Sequence, residues 1–182
     1  MKKYLVINKI IKPFKKIITV DGDKSISIRW VLISCLSKKK SIAYNLPKSE
    51  DVTSAIRCVK SLGSKVTIKS KRCEIKGIGL NDKFKKNIIL NAGNSGTLGR
   101  LILGLLVNTK NKIKLIGDNS LSRRDFSRVT KPLSKFGVKF FSNKNTLPII
   151  MRGSSSPKSI NYQELKGSAQ CKSTIMLAAL KS

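Results

Sequence analysis

The chain has 182 residues, and its 38 lysines and arginines outnumber its nine aspartates and glutamates, which gives a formal net charge of +29. It contains no histidine, which excludes histidine-based acid–base catalysis, serine or cysteine triads and histidine-ligated zinc. Apolar residues make up 40% of the chain, which indicates a folded protein and not a disordered one. The length allows one large domain, or one and a half small ones.

The N-terminal segment and the longest apolar run argue against secretion and against a membrane span. Residues 1–16 are rich in lysine and lack the apolar core of a signal peptide. The run Leu101–Val107 is too short to cross a bilayer. The four cysteines form no C-x-x-C pair, so we expect buried thiols in a reducing compartment. These features predict a soluble, cytoplasmic protein.

The high charge does not by itself predict nucleic-acid binding. Lysines are scattered from Lys2 to Lys181, whereas base-reading proteins usually concentrate arginine and aromatic residues on one face. The arginines are more informative, because guanidinium is preferred for bidentate anion recognition. Four of them lie beside turn or helix-start signals, namely Arg29, Arg100, Arg123 and Arg124. We therefore expect the charge to serve the capture of small anionic substrates.

The first predicted element is a helix that follows Gly22 and a set of small polar residues and continues into the apolar run Trp30–Leu36. The second is an amphipathic helix whose apolar residues recur at helical spacing. It has Asp51 at its predicted N-cap and Gly63 just beyond its end. A short strand, Lys65–Lys69, is predicted to follow.

The amphipathic helix and its strand recur further along the chain. Residues 51–66 align without a gap on residues 125–140, 74 positions later. The alignment predicts a second N-cap at Asp125 and a second helix end at Gly137, followed by a strand over Val138–Phe141. Pro132 falls inside this helix, where a proline predicts a kink.

The glycine-containing helix start recurs as well. The start at Gly22 is repeated 71 positions later at Gly93, and a third version begins at Gly167. Each unit thus consists of a strand, a buried helix, a strand, a surface helix and two strands, which predicts an α/β (α+β) fold. The 74-residue offset places the next helix near position 199, so we expect a chain truncated in its third unit. Truncation would leave the apolar face of Ile175–Leu180 uncovered.

Three helix starts related by a repeat can converge on one point. Free backbone N–H groups and the positive ends of the helix dipoles favour an anion there. The expected sources of charge are Lys24, Arg29, Arg100 and Arg124, and the expected sources of directional hydrogen bonds are Ser25, Thr97, Ser168 and Gln170. The first start lacks the opening glycine of a Walker A loop, which disfavours an ATPase or a kinase.

Four segments carry a family resemblance: Gly22-Asp-Lys-Ser-Ile-Ser-Ile-Arg29, Asn91-Ala-Gly-Asn-Ser-Gly-Thr-Leu-Gly-Arg100, Gly117-Asp-Asn-Ser-Leu-Ser-Arg-Arg124 and Gly167-Ser-Ala-Gln-Cys-Lys-Ser173. In sequence and order they resemble the 5-enolpyruvylshikimate-3-phosphate synthase (3-phosphoshikimate 1-carboxyvinyltransferase) family. The resemblance implies an inside-out α/β barrel of two domains, each built from three βαβαββ units. It also implies that residues 1–20 pair with a C-terminal domain absent from this sequence. Residues 21–182 would then form an incomplete N-terminal domain.

The resemblance implies a reaction of the shikimate pathway, in which chorismate and then aromatic amino acids are made. The enolpyruvyl group of phosphoenolpyruvate is transferred to the 5-hydroxyl of shikimate 3-phosphate, and phosphate is released. Residues implied for phosphoenolpyruvate are Lys24, Gly96, Arg124 and Gln170. Those implied for shikimate 3-phosphate are Lys24, Ser25, Arg29, Ser168, Ala169 and Gln170. Lys24 would be the catalytic residue, Asn94 and Thr97 would shape the glycine turn, and Arg100 would be structural support.

The resemblance implies no cofactor, no metal, no membrane and a monomer when full length. Asp125 departs from the family, which usually has proline there, and its carboxylate is expected to weaken the site around Arg124 slightly. The family's acid and base come from the C-terminal domain, so this chain alone is expected to be inactive. Two alternatives remain: a non-catalytic anion-binding module, and a UDP-sugar enolpyruvyl transferase. The latter resembles the chain less well, because it carries Lys-Asn where Lys24-Ser25 stands.

Overall fold

The structure, a computed structural model, describes residues 5–6, 8–10, 12–80, 88–142, 144–164 and 166–182. Helices and strands alternate through these ranges, as expected for an α/β chain. In chain order they are α1 (Lys24–Cys35), β1 (Lys40–Tyr44), α2 (Glu50–Leu62), β2 (Lys65–Lys69), β3 (Arg72–Lys76), β4 (Ile88–Asn91), α3 (Gly96–Leu105), β5 (Ile113–Ile116), α4 (Asn119–Ser122), α5 (Ser127–Lys135), β6 (Lys139–Phe140), β7 (Ile149–Arg152) and α6 (Ala169–Ala179).

The two predicted aspartate N-caps are wrong. The N-cap of α2 is Ser49, whose hydroxyl accepts a hydrogen bond from the backbone N of Val52. Asp51 lies in the first turn instead, where the positive end of the helix dipole favours its carboxylate. Asp125 lies outside α5, because the N-cap of that helix is Phe126, which forms no side-chain cap.

The predicted helix ends are confirmed. Gly63 and Gly137 have φ angles of 113° and 97°, a left-handed conformation that residues with a Cβ rarely adopt. The strand after Gly63 has the predicted bounds, whereas the one after Gly137 is shorter than predicted and covers Lys139–Phe140. Pro132 lies inside α5, which continues beyond it to Lys135.

Two sheets repeat the same topology. The first has the strand order β1-β3-β2, and the second has the order β4-β5-β7-β6. In both, a hairpin-like antiparallel pair (β2 with β3, or β6 with β7) joins a further antiparallel strand (β1 or β5). The second sheet adds β4 parallel to β5. The second unit therefore has the complete βαβαββ order, with the short helix α4 inserted.

The opening strand predicted for the first unit is not formed. The 71-residue offset relates β4 to residues 17–20, which have no strand hydrogen bonding although Val20 accepts a bond from the Asn45 side chain. Ile17, Ile18 and Val20 are all exposed. A strand needs both a partner edge and a covered face to be stable, and this segment has no covered face.

The helices lie inside and their packing creates one continuous core. All but one of the ten residues of α3 are buried, as expected for a helix that is apolar on every side. It packs against α1 and most extensively against α6. A Cβ placed on Gly104 would lie 2.1 Å from the carbonyl oxygen of Thr174. Glycine is thus required where α3 meets the backbone of α6.

The expectation of an uncovered apolar face on α6 is only partly right. Ile175, Leu177 and Ala178 are buried, because this side of the helix faces α3 and the core. Met176 and Leu180 are 70% and 56% exposed. The unpaired apolar surface is therefore limited to these two side chains on α6.

The cysteines behave as structural residues. Cys35, Cys58, Cys73 and Cys171 are all free and buried, as predicted. Burial raises the pKa of Cys58 to about 12, which leaves its thiol uncharged and unreactive at neutral pH. None of the helices in the described part of the chain is long and apolar enough to cross a lipid bilayer.

We predict that Gly104→Ala destabilises the protein by about 3 kcal/mol, because the added methyl group would force α3 and α6 apart. Gly99→Ala is the matched control on the same helix, since a Cβ there would lie 3.4 Å from the Phe126 ring, an ordinary contact. It should change stability by less than about 1 kcal/mol. Urea unfolding followed by circular dichroism measures both, and equal effects would contradict the required close approach.

Candidate active site at the helix starts

Three helices begin with the predicted combination of a capping hydroxyl or carboxylate and small residues. The N-caps of α1, α3 and α6 are Asp23, Ser95 and Ser168, and each accepts a hydrogen bond from a backbone N in the first turn. The remaining first-turn N–H groups have no partner within their own helix. Each start therefore presents donors and the positive end of a helix dipole.

Gln170 connects the start of α6 to α3. Its side-chain oxygen accepts a hydrogen bond from Nη1 of Arg100 at 2.9 Å, and its side-chain nitrogen donates to Oγ1 of Thr97 at 3.1 Å. The two bonds orient the amide from both ends. The guanidinium of Arg100 lies 5.2 Å from the ring centroid of Phe126, which favours its present position through a cation–π contact. Arg100 is thus held by Phe126 and in turn orients the amide of Gln170.

A second set of contacts places Arg124. Its Nη2 donates to Oδ1 of Asn94 at 3.2 Å, and Nδ2 of Asn94 donates to the carboxylate of Asp118 at 2.6 Å. Asp118 also caps α4. The resemblance assigned Asn94 to the glycine turn, and the structure additionally makes it the partner of Arg124. The role of Asp118 was missed, although it lies within a segment that carried the resemblance.

Gly96 lies between two guanidinium groups. A Cβ placed on it would be 2.9 Å from Nη1 of Arg100 and 3.0 Å from Nη1 of Arg124. Burial, the larger cause, and the neighbouring positive charge of Arg124 both lower the pKa of Arg100. These arginines have neutral hydrogen-bond partners in Gln170 and Asn94, so their positive charge is not cancelled by those contacts. An anion at this point would relieve the repulsion.

Arg29 joins α1 to α6. Its Nε and Nη2 donate to Oγ of Ser173 at 3.2 and 3.1 Å, and its Nη1 donates to the backbone oxygen of Ser25 at 3.0 Å. Arg100, which corresponds to Arg29 in the repeat, likewise bonds to the carbonyl four residues before it and to a side chain of α6. Ser173 was missed as a site residue, although its position one turn after Ala169 was a usable signal.

Lys24 lies at the first position of α1 and its ammonium forms an ion pair with Asp51 at 3.2 Å. Its side chain is 52% exposed. This contact connects Lys24 to α2 and not to the network around Gln170. The role of Asp51 as the counter-ion of Lys24 was also missed, because the two are separated by 27 positions.

Ser168 and Ala169 form the start of α6. Oγ of Ser168 accepts a hydrogen bond from the backbone N of Cys171, which leaves the hydroxyl hydrogen available for a ligand. Ala169 is exposed and offers only its backbone and a methyl group. Both residues thus lie at the same helix end as Gln170.

Asp125, whose carboxylate was expected to weaken the site around Arg124, is hydrogen-bonded to Ser127. Its carboxylate accepts hydrogen bonds from the side chain and backbone N of Ser127, and these bonds lower its pKa. Only its backbone oxygen faces the network, where Nη2 of Arg100 lies 3.4 Å away. The carboxylate therefore stabilises the start of α5.

A hydrogen-bonded cluster of Tyr162, Glu164 and Arg128 connects the segment before α6 to α5. Glu164 accepts hydrogen bonds from the hydroxyl of Tyr162 and from Nη2 of Arg128 on α5. These two bonds lower the pKa of Glu164 to about 2. Since Arg128 lies on the helix that follows Arg124, the cluster connects the two segments that flank the arginine network.

In the described part of the chain, no group of three histidine, cysteine or acidic residues could hold a metal.

We predict that Glu164 makes the fold more stable above pH 4.5, its ordinary pKa, and that this contribution is lost as the pH falls towards 2. Glu164→Gln should therefore lower the melting temperature at pH 6, and the difference from wild type should shrink between pH 4.5 and about 2. Glu50→Gln, the same change at an exposed position, is the control. A pH-independent difference for Glu164→Gln would contradict the ionised cluster.

Comparisons with known proteins agree on one family. The family model for EPSP synthase (3-phosphoshikimate 1-carboxyvinyltransferase) matches residues 8–182. The chain is 38% identical over 178 residues to the 3-phosphoshikimate 1-carboxyvinyltransferase of Syntrophomonas wolfei, covering 97% of this chain and 41% of the relative. It is 37% identical to that of Caldicellulosiruptor saccharolyticus, covering 91% of this chain and 38% of the relative.

The solved structures give the same answer for the fold. An EPSP synthase from Acinetobacter baumannii superimposes with a TM-score of 0.83 at 30% sequence identity, over 91% of this chain and 38% of that one. The chain thus spans about two fifths of the length of the relatives that it matches. The motifs, the fold and the sequence comparisons lead to one conclusion: this chain belongs to the EPSP synthase family.

Proposed function

We propose that the chain supplies part of the active site of an enzyme that transfers the enolpyruvyl group of phosphoenolpyruvate to the 5-hydroxyl of shikimate 3-phosphate. The observation that carries the proposal is the pair of guanidinium groups on either side of Gly96, with Gln170 fixed beside them. Both substrates carry a phosphate and a carboxylate. Such anions match guanidinium groups and helix N-termini in charge and in hydrogen-bond geometry.

Phosphoenolpyruvate is assigned to the region around Gly96. The missing Cβ lets an anion approach the backbone N–H groups at the start of α3. Arg124 would supply the positive charge, while Gln170 would donate from its amide. Lys24 would swing from Asp51 to the phosphate, which its half-exposed position allows, and would stabilise the charge on the departing phosphate.

Shikimate 3-phosphate is assigned to the starts of α1 and α6. Its phosphate would accept hydrogen bonds from the hydroxyls of Ser25 and Ser168 and from the backbone of Ala169. Arg29 would add a charge-assisted bond, since Ser173 holds its guanidinium at this end of α6. Lys24 and Gln170 would be shared by the two substrates, which places the reacting groups side by side.

The reaction needs more than these anchors. A proton is added to the methylene carbon of phosphoenolpyruvate, and the 5-hydroxyl, which gives its proton to a base, attacks the neighbouring carbon to form a tetrahedral intermediate. That intermediate then loses phosphate together with a proton of the new methyl group, which restores the double bond. An acid and a base must act at that point, and in the family they come from the C-terminal domain. We propose that residues 1–20 pair with that domain and that residues 21–182 belong to the N-terminal one. The complete enzyme would be a cytoplasmic monomer without a cofactor.

Titration of the chain with shikimate 3-phosphate tests the proposal. We expect saturable binding, and Arg29→Gln should weaken it by about tenfold or more, because a charge-assisted hydrogen bond contributes roughly 1.5–3 kcal/mol. Arg57→Gln is the matched control, since Arg57 is an exposed arginine on α2. Equal effects of the two variants would contradict the assignment. Tighter binding of a UDP-amino sugar would instead favour the UDP-sugar transferase alternative.

Substitution of Gly96 tests the phosphoenolpyruvate region. The family resemblance implies that the herbicide glyphosate competes with phosphoenolpyruvate at this glycine. In the complete enzyme, Gly96→Ala should weaken phosphoenolpyruvate and glyphosate more than shikimate 3-phosphate, because the added methyl group occupies the space between Arg100 and Arg124. Gly99→Ala is the matched control. Gly99 lies three residues further along α3, where the substitution gives the same gain in helix propensity but the added methyl group does not enter the space between the two arginines. Inhibition and binding assays measure the ratio, and equal loss of both ligands would contradict the proposal.

A further inference from the structure

A cavity of about 400 Å³ lies at the opposite end of α3 from the candidate active site. Three cationic side chains line it, namely Lys110, Lys139 and Arg152. Lys110 follows the C-terminal end of α3, and a ten-residue helix places that end roughly 15 Å from Gly96. We call this cavity, lined by the three cations together with Gly137, Gly153, Ser154 and Ser155, the basic cavity.

The three cations of the basic cavity have no carboxylate partner among the residues that the structure describes. Lys139 and Arg152 lie directly opposite each other on the antiparallel strands β6 and β7, and like charges in this position are destabilising. Within the described ranges, no carboxylate forms an ion pair with any of the three cations, whereas Asp51, Glu74 and Glu164 pair with other residues. A bound anion would supply the missing negative charge.

The backbone around the basic cavity is fixed by close contacts. A Cβ on Gly153 would lie 2.3 Å from the carbonyl oxygen of Val107 and 2.6 Å from the backbone N of Thr109. The backbone N of Ser154 donates to the same Val107 oxygen at 2.8 Å. These contacts join β7 to the segment that carries Lys110. These backbone contacts therefore fix the position of Lys110 relative to Arg152 before any ligand binds.

The first unit has cations at the three corresponding positions, but the residues around them differ. Lys39, Lys65 and Lys76 correspond to the three cations in the repeat, and Lys65 lies opposite Lys76. There, however, Glu74 lies on the same strand and pairs with Lys40 and Arg72. The equivalent residue of the second unit is Ile150, so the second sheet has no carboxylate at this position.

The two units also differ next to the helix-ending glycine. The side chain nearest to Gly63 is the methyl group of Ile78, whereas the one nearest to Gly137 is Ser154. An apolar group thus covers the glycine in the first unit, and a hydroxyl-bearing one does so in the second. In the second unit, the opposed cations thus lie beside a polar lining and without a carboxylate on either strand.

We propose that the basic cavity binds a small phosphate-bearing anion at a site separate from the active site. The planar guanidinium of Arg152 can hold two phosphate oxygens at once, while the ammonium groups of Lys110 and Lys139 act as point charges. Ser155 adds a hydroxyl at the rim. A compact anion with two or more negative charges matches three cations around one cavity better than a singly charged one.

Titration with inorganic pyrophosphate, followed by amide NMR at about 150 mM salt, tests the proposal on the 182-residue chain. We expect saturable shifts of the Gly137 and Gly153 amides. The double variant Lys139→Gln/Arg152→Gln should weaken this response by about tenfold or more. It should melt no lower than wild type without pyrophosphate, because it removes a repulsive pair. Arg152→Lys keeps the charge but loses the planar guanidinium that can bind two oxygens, so it should weaken pyrophosphate binding less than the double variant does.

The matched control is Lys65→Gln/Lys76→Gln, which removes the equivalent pair from the first unit. It should leave the shifts of Gly137 and Gly153 unchanged, and shifts of Gly96 should survive in both double variants because they report the active site. Equal weakening by the two double variants would mean a general charge effect and would overturn the proposal. Tighter binding of a single-stranded oligonucleotide at the same amides would replace the small anion by a nucleic acid and overturn it as well.

Discussion

The close contact between α3 and α6 is the constraint on which the candidate site depends. Because Gly104 has no side chain, the carbonyl of Thr174 can approach its backbone, and the two helices pack side by side. Their starts then lie at the same end of the core, where Gln170 reaches both Arg100 and Thr97. Any separation of the helices would lengthen both hydrogen bonds, because Gln170 lies one turn before Thr174 on α6 and accepts a hydrogen bond from its hydroxyl, and Arg100 lies one turn before Gly104 on α3.

Five arginines of this protein fall into two groups according to their partners. At the helix starts, Arg29, Arg100 and Arg124 are oriented mainly by hydroxyl, amide and carbonyl groups, which fix a guanidinium without cancelling its charge. Elsewhere, Arg72 and Arg128 pair with carboxylates, and their charge is used to hold segments together. Lys24 is the exception at the site, because its ammonium pairs with the carboxylate of Asp51. Neutral partners thus concentrate positive charge where a ligand can use it.

The repeat supplies one geometry that the units use differently. Arg29 and Arg100 occupy equivalent positions, and each bonds a carbonyl of its own helix and a side chain of α6. The positions at the helix start have diverged, since Ser25 offers a hydroxyl where Gly96 leaves space. One helix start can therefore present side chains to a ligand while the other lets the ligand approach the backbone. Such a division lets two similar units hold two different anions.

The sequence by itself determined the repeat, the three helix starts, the left-handed helix ends and the family. Each helix start and each helix end depends on residues within a few positions of each other, where sterics and capping decide the backbone conformation. The repeat and the family follow from comparing such local patterns along the chain. The N-caps at Asp51 and Asp125 were predicted wrongly. At α2 the polar residue Ser49 takes the cap two positions earlier, and at α5 Phe126 stands at the cap position while Asp125 bonds Ser127 from outside the helix. Only the tertiary structure decided that Asp51 pairs with Lys24 and that Asp118 holds Asn94. Such pairs join residues far apart in the chain, and their partners depend on how helices pack, which no local preference encodes.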